Sequence, residues 1–238
     1  MTFDQAEFQV RCEWGLEGLR ALAPISDVVV IVDVLSFTTA VDIATSRGAV
    51  IYPYPEKGPS AADYAGSIQA NLASRDRRSG FSLSPHSLRN LPAGYRLVLP
   101  SPNGAALTFA ADHPAVLSAC LRNAAAAGRA AARLGATVAV IPAGELWPNG
   151  ELRPSFEDWV GAGAVIGALP GSRSPEADAA VAAFDHTSRR LSQSLRQSSS
   201  GKELIERGFT MDVELAAELN VSTCVARLVD KAFVRTGG

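Results

Sequence analysis

The chain has 238 residues, 47% of them hydrophobic and 19% charged, with a formal net charge of −2. That length can bury a sizeable core, as one large domain or two smaller ones. Its Lys and Arg are scattered, which argues against a nucleic-acid surface, and no apolar run approaches the roughly 20 residues that cross a bilayer.

Met1-Thr-Phe-Asp-Gln5 lacks a basic stretch followed by an apolar one, so no signal peptide and a cytoplasmic location are expected. Cys12, Cys120 and Cys224 are odd in number and form no CxxC pair, which suits reduced, buried thiols rather than a disulfide frame or a catalytic cysteine. None of His86, His113 and His186 stands in a stretch that nominates it as a ligand or a catalytic partner.

Glu7 to Cys12 reads as a first strand, followed by a helical stretch that stops at Leu22 before Pro24. Val28-Val-Val-Ile-Val32 is a continuous β-branched run, the mark of a strand buried on both faces of a parallel sheet. Asp33 follows it, then Ser36 and the hydroxyl pair Thr38 and Thr39, either of which could cap a helix running to Ser46. Ala49 to Tyr54 completes a strand–helix–strand unit, which predicts parallel strands with a right-handed crossover. Pro59 to Ala73 has helical spacing, and Arg75 to Gly94 carries the Gly, Pro and polar content of a long loop.

Tyr95 to Leu99 is a further strand and runs into Pro100-Ser-Pro-Asn-Gly104. Ala105 to Ala111 reads as helix, Val116 to Cys120 as strand and Asn123 to Leu134 as an Ala/Arg helix. Thr137 to Ile141 is a strand that ends at Pro142-Ala-Gly-Glu145. Ser155-Phe-Glu-Asp158 has the capping-box spacing and opens a helix through Leu169. Glu176 to Arg196 reads as one helix, and Ser198-Ser-Ser-Gly201 as a polar separator before short helices at Glu203 to Arg207 and Met211 to Leu219. Val225 to Leu228 and Phe233 to Val234 form a terminal strand pair. The expected architecture is α/β, a mainly parallel sheet with flanking helices. The break at Pro170 to Pro175 either lies within a single domain of residues 1–238 or sets off a helical subdomain of 175–238.

Three strand ends repeat one theme: Asp33, then Asn103-Gly104, then Gly144-Glu145. In open α/β sheets the ligand crevice lies at the carboxyl ends of strands, and carboxylates there suit Mg²⁺ with a phosphate. Asp33 is equally a turn and capping residue, and on its own segment both readings stand. Asp33 and Glu145 are the leading catalytic carboxylates and Mg²⁺ ligands, with Glu157 and Asp158 as outer ligands or as acidic residues favoured in a first helical turn. Thr38, Thr39, Asn103, the Gly104 backbone and Ser36 are the candidates for substrate oxyanions. Ser199, Ser200 and Lys202 form a second anion patch or a flexible polar linker. The chain has no P-loop, no Gly-x-Gly-x-x-Gly after a strand, no Gly-x-Ser-x-Gly elbow and no His-Glu-x-x-His helix. Position 35 is Leu, so the Asp-x-Asp pattern of aspartyl-phosphate enzymes is missing.

Several collinear pieces resemble the 2-phosphosulfolactate phosphatases, the ComB-like proteins. They are Val32-Asp-Val-Leu-Ser-Phe-Thr-Thr39, Phe81-Ser-Leu-Ser-Pro85, Ser101-Pro-Asn-Gly-Ala105 and Leu121-Arg-Asn-Ala124. Ala143-Gly-Glu145, Phe156-Glu-Asp158 and Gly161-Ala-Gly163 follow, then Ser199-Ser-Gly-Lys-Glu-Leu204 with Gly208 and Asp212-Val213. The resemblance implies a ComB-like α/β fold and Mg²⁺-dependent hydrolysis of 2-phospho-3-sulfolactate to sulfolactate and phosphate, on the route to coenzyme M. It implies a small anionic phosphoester as partner and leaves a homo-oligomer open; that no membrane is expected rests on the apolar runs alone. This chain departs from the pattern in two places. Ser36 stands where the resemblance calls for Arg, and Ala73-Ser-Arg-Asp76 replaces a Gly-Glu-Arg segment. Serine cannot supply the lost charge, so Arg75 and Arg78 are the candidates to compensate. The rival expectation is a weakened relative that binds an anionic metabolite without turnover.

Overall fold

The computed structural model describes residues 4–236, so the reading of Met1 to Gln5 lies partly outside the described residues. In chain order the elements are β1 (Val10–Cys12), α1 (Gly15–Leu22), β2 (Val28–Val32), α2 (Phe37–Ser46), β3 (Val50–Tyr54), α3 (Pro59–Ser67), β4 (Asn71–Leu72) and β5 (Arg96–Pro100). Then come α4 (Gly104–Ala110), β6 (Val116–Ala119), α5 (Ala124–Leu134), β7 (Val138–Pro142), β8 (Glu145–Leu146), β9 (Leu152–Arg153) and α6 (Phe156–Ile166). The remainder is α7 (Pro175–Thr187), α8 (Leu191–Gln197), α9 (Ser199–Glu206), α10 (Thr210–Ala216), β10 (Val225–Val229) and β11 (Ala232–Thr236).

Nine strands form one sheet in the order β1-β7-β2-β6-β10-β11-β3-β5-β4. The architecture is α/β with a mainly parallel sheet, as the alternating pattern predicts. The β-branched run of β2 is buried along its whole length. Val28, Val30 and Val32 belong to the core shared with α5 to α10, and Val29 and Ile31 to the core shared with α1, α2 and α4. Leu191, Leu195, Leu204 and Val213 of the C-terminal helices lie in the same cluster as the strand valines.

One expectation fails. The strands β1, β7, β2 and β6 are mutually parallel, and so are β3, β5 and β4. Between these half-sheets sits the hairpin β10–β11, antiparallel to β6 on one side and to β3 on the other. Counting through those antiparallel pairs, β3 runs opposite to β2, so β2–α2–β3 is not a parallel crossover unit. The handedness rule applies only when both strands join the same parallel set, and here α2 carries the chain from one half-sheet to the other. Its residues from Phe37 to Thr45 are all buried, and Phe37 packs on Phe233 of β11 with ring centroids 6.3 Å apart.

The same topology changes why the three polar strand ends meet. β5 does not share the polarity of β2 and β7. Five strand-to-strand steps separate β2 from β5. At about 20–25° of twist per step the strand direction turns by roughly 100–125°, so the half-sheets cross steeply instead of opposing. The turn after β5 can then reach the end of β2.

Smaller corrections are local. The helix from Pro59 ends at Ser67, because Asn71 and Leu72 form an edge strand beside β5. The helix expected over Glu176 to Arg196 breaks at a 3-10 turn, Ser188–Arg190. Ser198 is no linker residue: its Oγ accepts from Gly201 N at 3.1 Å and caps α9. The hairpin turn places Asp230 and Lys231 at φ of 49° and 65°, the paired left-handed geometry of a two-residue β-turn.

Helices α6 and α7 pack at closest range where Gly163 faces the Ala180 carbonyl. A Cβ at Gly163 would stand 2.0 Å from that oxygen. Gly163→Ala is therefore expected to force the helices apart and cost about 1–3 kcal/mol, the scale of overpacking a filled core. Urea denaturation measures it, and an unchanged midpoint would show that the α6–α7 seam has slack.

Candidate active site

Asp33 ends β2 with 3% of its surface exposed. Its two oxygens accept backbone N–H bonds, Oδ1 from Phe37 at 3.3 Å and Oδ2 from Gly104 at 2.7 Å. Gly104 is glycine because of this approach: a Cβ there would lie 2.7 Å from Asp33 Oδ2 and from the Phe37 ring. Glu145, half-buried at the start of β8, accepts from Asn103 Nδ2 at 2.7 Å. The sequence-predicted Asp33, Asn103, Gly104 and Glu145 are thus brought together from three strand ends, and Asp33 is fastened as well as facing the cavity.

Asp33, Asn103 and Glu145 line a cavity of about 180 Å³ together with Ser36, Lys57, Arg77, Ser200, Glu203 and Arg207. Burial pushes Asp33 up to about 6, against the pull of its two N–H donors, and neighbouring Glu157 adds to the rise. Burial and then the nearby Asp33 push Glu145 up to about 7. Burial likewise lowers Lys57, which also faces the cations Arg77, Arg207 and Arg75. Acidic residues therefore sit at the strand ends of this cavity, and basic residues from the loops and α9 complete its wall.

Several predicted ligands point elsewhere. Thr38 and Thr39 are fully buried inside the first turn of α2 and do not cap it. Their hydroxyls donate to the carbonyls of Asp33 at 2.7 Å and Val34 at 2.8 Å, leaving neither for a phosphate. The Gly104 N–H and one Asn103 amide hydrogen are likewise committed, to Asp33 and Glu145. Asp158 does not line the cavity. Its Oδ1 accepts from Val34 N at 2.7 Å, and its Oδ2 from Gly144 N at 2.9 Å and Ser155 Oγ at 2.7 Å. It fastens the loops, with both oxygens taken by donors, and the capping box with Ser155 does not form, since Ser155 donates to Asp158. Glu157, 2% exposed, stands behind the cavity and adds negative charge to it. Ser200 reaches the cavity, where its Oγ accepts from Arg153 Nη2 at 3.1 Å. Ser199 lines a separate groove with His186 and Arg190, and Lys202 is exposed outside the cavity.

The residue that the sequence does not single out is Arg77. Its side chain is 12% exposed, and its Nη1 donates to Ser36 Oγ at 3.0 Å and lies 3.5 Å from Asp212 Oδ2. The two arginines expected to compensate do not line the cavity: Arg75 is exposed in an adjoining pocket, and Arg78 donates to the Arg207 carbonyl at 2.9 Å and lies over the Phe209 ring. No periodicity separates three arginines in one loop. The nearest signal is Asp212, which belongs to the last of the collinear pieces and to which the sequence assigns no partner.

Among the described residues no three or more His, Cys, Asp or Glu side chains form a ready metal cage. Mg²⁺ does not need one, since it commonly takes one or two carboxylates and fills its other positions with water and phosphate. Two desolvated carboxylates on one open cavity fit that donor set. The three cysteines are free and buried, as expected, and burial pushes the Cys120 thiol up to about 12.

The raised carboxylates make a prediction about stability. Asp33 and Glu145 bind protons more tightly folded than unfolded, so their ionisation favours unfolding. In EDTA their contribution is fully present below about pH 4, and it is lost as pH rises through about 6 for Asp33 and about 7 for Glu145. The urea midpoint in EDTA should fall between those limits, and Asp33→Asn with Glu145→Gln should flatten the fall. A midpoint that rises over this range would contradict the assignment.

Comparison with known proteins adds a second line. The profile of the 2-phosphosulpholactate phosphatase family matches residues 19–231. A protein of Gloeobacter violaceus called "Probable 2-phosphosulfolactate phosphatase" is 29% identical over 212 residues, covering 84% of this chain and 88% of the relative. The Carboxydothermus hydrogenoformans protein of the same name is 29% identical, over 81% of this chain and 82% of its own. The "2-phosphosulfolactate phosphatase" of Methanothermobacter thermautotrophicus is 30% identical, over 83% and 84%. With a match that spans most of its length and takes in every residue of the cavity, the chain belongs to the 2-phosphosulpholactate phosphatase family.

Proposed function

We propose that the protein is a phosphatase that hydrolyses the phosphate ester of a small, strongly anionic acid, with 2-phospho-3-sulfolactate as substrate and sulfolactate and phosphate as products. The observation that carries this reading is the pairing of Asp33 and Glu145 with Lys57 and Arg77 around one cavity. Cations there attract and orient a substrate with several negative charges. The carboxylates would repel it unless a cation came with it, and Asp33 and Glu145 would hold Mg²⁺. Bound there, the ion supplies neutralisation of the phosphate and stabilises charge developing on attack.

The chain's own residues do the positioning. The Phe37 and Gly104 N–H groups fix the Asp33 carboxylate, and Asn103 fixes Glu145, so neither must reorganise when charge moves. Arg77, Lys57 and Arg207 stand where phosphate and a second anionic group would be received. The rival reading, a relative that binds without turnover, draws on the missing arginine at Ser36 together with the lost Gly-Glu-Arg segment. A guanidinium beside Ser36 weakens the first of these grounds. Free cysteines support a reducing compartment, the cytoplasm, and no helix among the described residues is long and apolar enough to cross a membrane.

Phosphate release from 2-phospho-3-sulfolactate and other small phosphoesters tests the proposal. Release should require Mg²⁺, stop in EDTA, and fall at least about a hundredfold in Asp33→Asn, the scale of removing one group that stabilises a transition state. That variant should melt somewhat earlier, because its amide nitrogen turns a donor toward one of the two N–H groups that Asp33 accepts from, so release is compared per folded molecule. Release indifferent to EDTA, or intact in Asp33→Asn, would sink the reading.

A further inference from the structure

We propose that Arg77 is the substrate-binding guanidinium of this site, delivered by the loop after β4 and held by Ser36 and Asp212 in one slot that positions 36 and 77 share. The inference rests on the phosphatase reading and names the residue that would receive the substrate's anion. Arg77 lies in an otherwise exposed stretch from Arg75 to Gly80, yet its side chain is turned inward and 12% exposed. A guanidinium leaves water only where charge and hydrogen-bond partners receive it. Here Asp212 supplies the charge, and the Phe209 ring faces the guanidinium with its centroid 5.6 Å away.

Asp212 is itself locked. Its Oδ1 accepts from Ser84 Oγ at 2.7 Å and from His86 N at 3.0 Å, which ties α10 to the Phe81–Pro85 loop. Its Oδ2 is buried, receives no hydrogen bond, and faces Arg77 at 3.5 Å, too long for one. The pair is thus electrostatic and unsaturated. Among the described residues, all of Arg77's hydrogen bonds and ion pairs run through Nη1, so Nη2 and Nε are left for a ligand in the cavity that Arg77 lines. Two free donors on a planar fork are suited to an oxyanion.

Ser36 completes the slot. It opens α2 three residues after Asp33, and its small side chain leaves the space that the Arg77 head fills. A second arginine at 36 would crowd one guanidinium against another. Ser36→Arg alone should therefore weaken the site, while the exchange Arg77→Ser/Ser36→Arg should restore a single guanidinium in it. Reciprocal rescue of this kind follows from a shared slot and from no merely structural role.

The test uses two measurements on the full chain with Mg²⁺: kcat/KM for phosphate release, and calorimetric binding of inorganic phosphate. Arg77→Ser should lose roughly 10- to 150-fold in both, the worth of one charged hydrogen-bonding group. Arg75→Ser, in the same loop but exposed and outside the cavity, should stay close to wild type, Arg77→Lys should fall between, and the exchange variant should recover most of the loss. Arg77→Ser that binds and turns over like wild type, or a loss matched by Arg75→Ser, would overturn the proposal. So would an exchange variant no better than Arg77→Ser. If Arg77→Ser melts early, Arg77→Lys and Ser36→Arg carry the comparison. If wild type releases no phosphate but binds it through Arg77, the phosphatase reading fails and this proposal stands. Wild type that does neither overturns both.

Discussion

The buried carboxylate of Asp158 is the constraint from which the site's geometry follows. It accepts from Val34 N, Gly144 N and Ser155 Oγ, and so joins the loop after β2, the loop after β7 and the start of α6. Asp33 lies one residue before the first of these contacts and Glu145 one residue after the second. Burial raises its pKa, and Asp33 and Glu157 raise it further, while the hydrogen bonds work the other way. An uncompensated charge at that depth would cost several kcal/mol, so its donors must stay in place. The loops they belong to are therefore held in one relative position.

From that frame the rest of the acidic floor follows by cross-linking. Gly104 N reaches Asp33 and Asn103 Nδ2 reaches Glu145, which stitches the turn after β5 to strand ends of the other half-sheet. The basic residues come from outside the frame, Lys57 and Arg77 on loops and Arg207 at the end of α9. Carboxylates and cations divide the labour: the first define where charge can be neutralised, the second where the anion is received.

What the sequence makes legible is local. Val28 to Val32 declares its strand because every position must tolerate burial on both faces, and Asp33 stands out as the first carboxylate after it. Strand direction carries no such local mark. The reversal between β2 and β3 depends on residues 225–236 lying between them, through the distant pairings of Ala226 with Ser118 and Phe233 with Ile51 that no window reveals. Hydroxyl orientation is equally silent: Thr38 and Thr39 bend back to their own loop, a local bond that removes them from the ligand. In the loop with Arg75, Arg77 and Arg78, only the tertiary partner Asp212 separates the inward one from its neighbours.

The central hairpin has a consequence for biosynthesis. Strands β10 and β11 occupy the middle of the sheet, with β6 and β3 as their outer neighbours. Until residues 225–236 emerge from the ribosome, both of those strands present unpaired N–H and C=O groups along an open edge. Such edges recruit foreign strands, and long-range pairings of this kind form slowly. The nascent chain thus carries two half-sheets, each with an exposed seam, until the hairpin closes them. The paired left-handed turn at Asp230 and Lys231 fixes the register of that hairpin locally, so the closing piece needs only the two flanking edges to hold it.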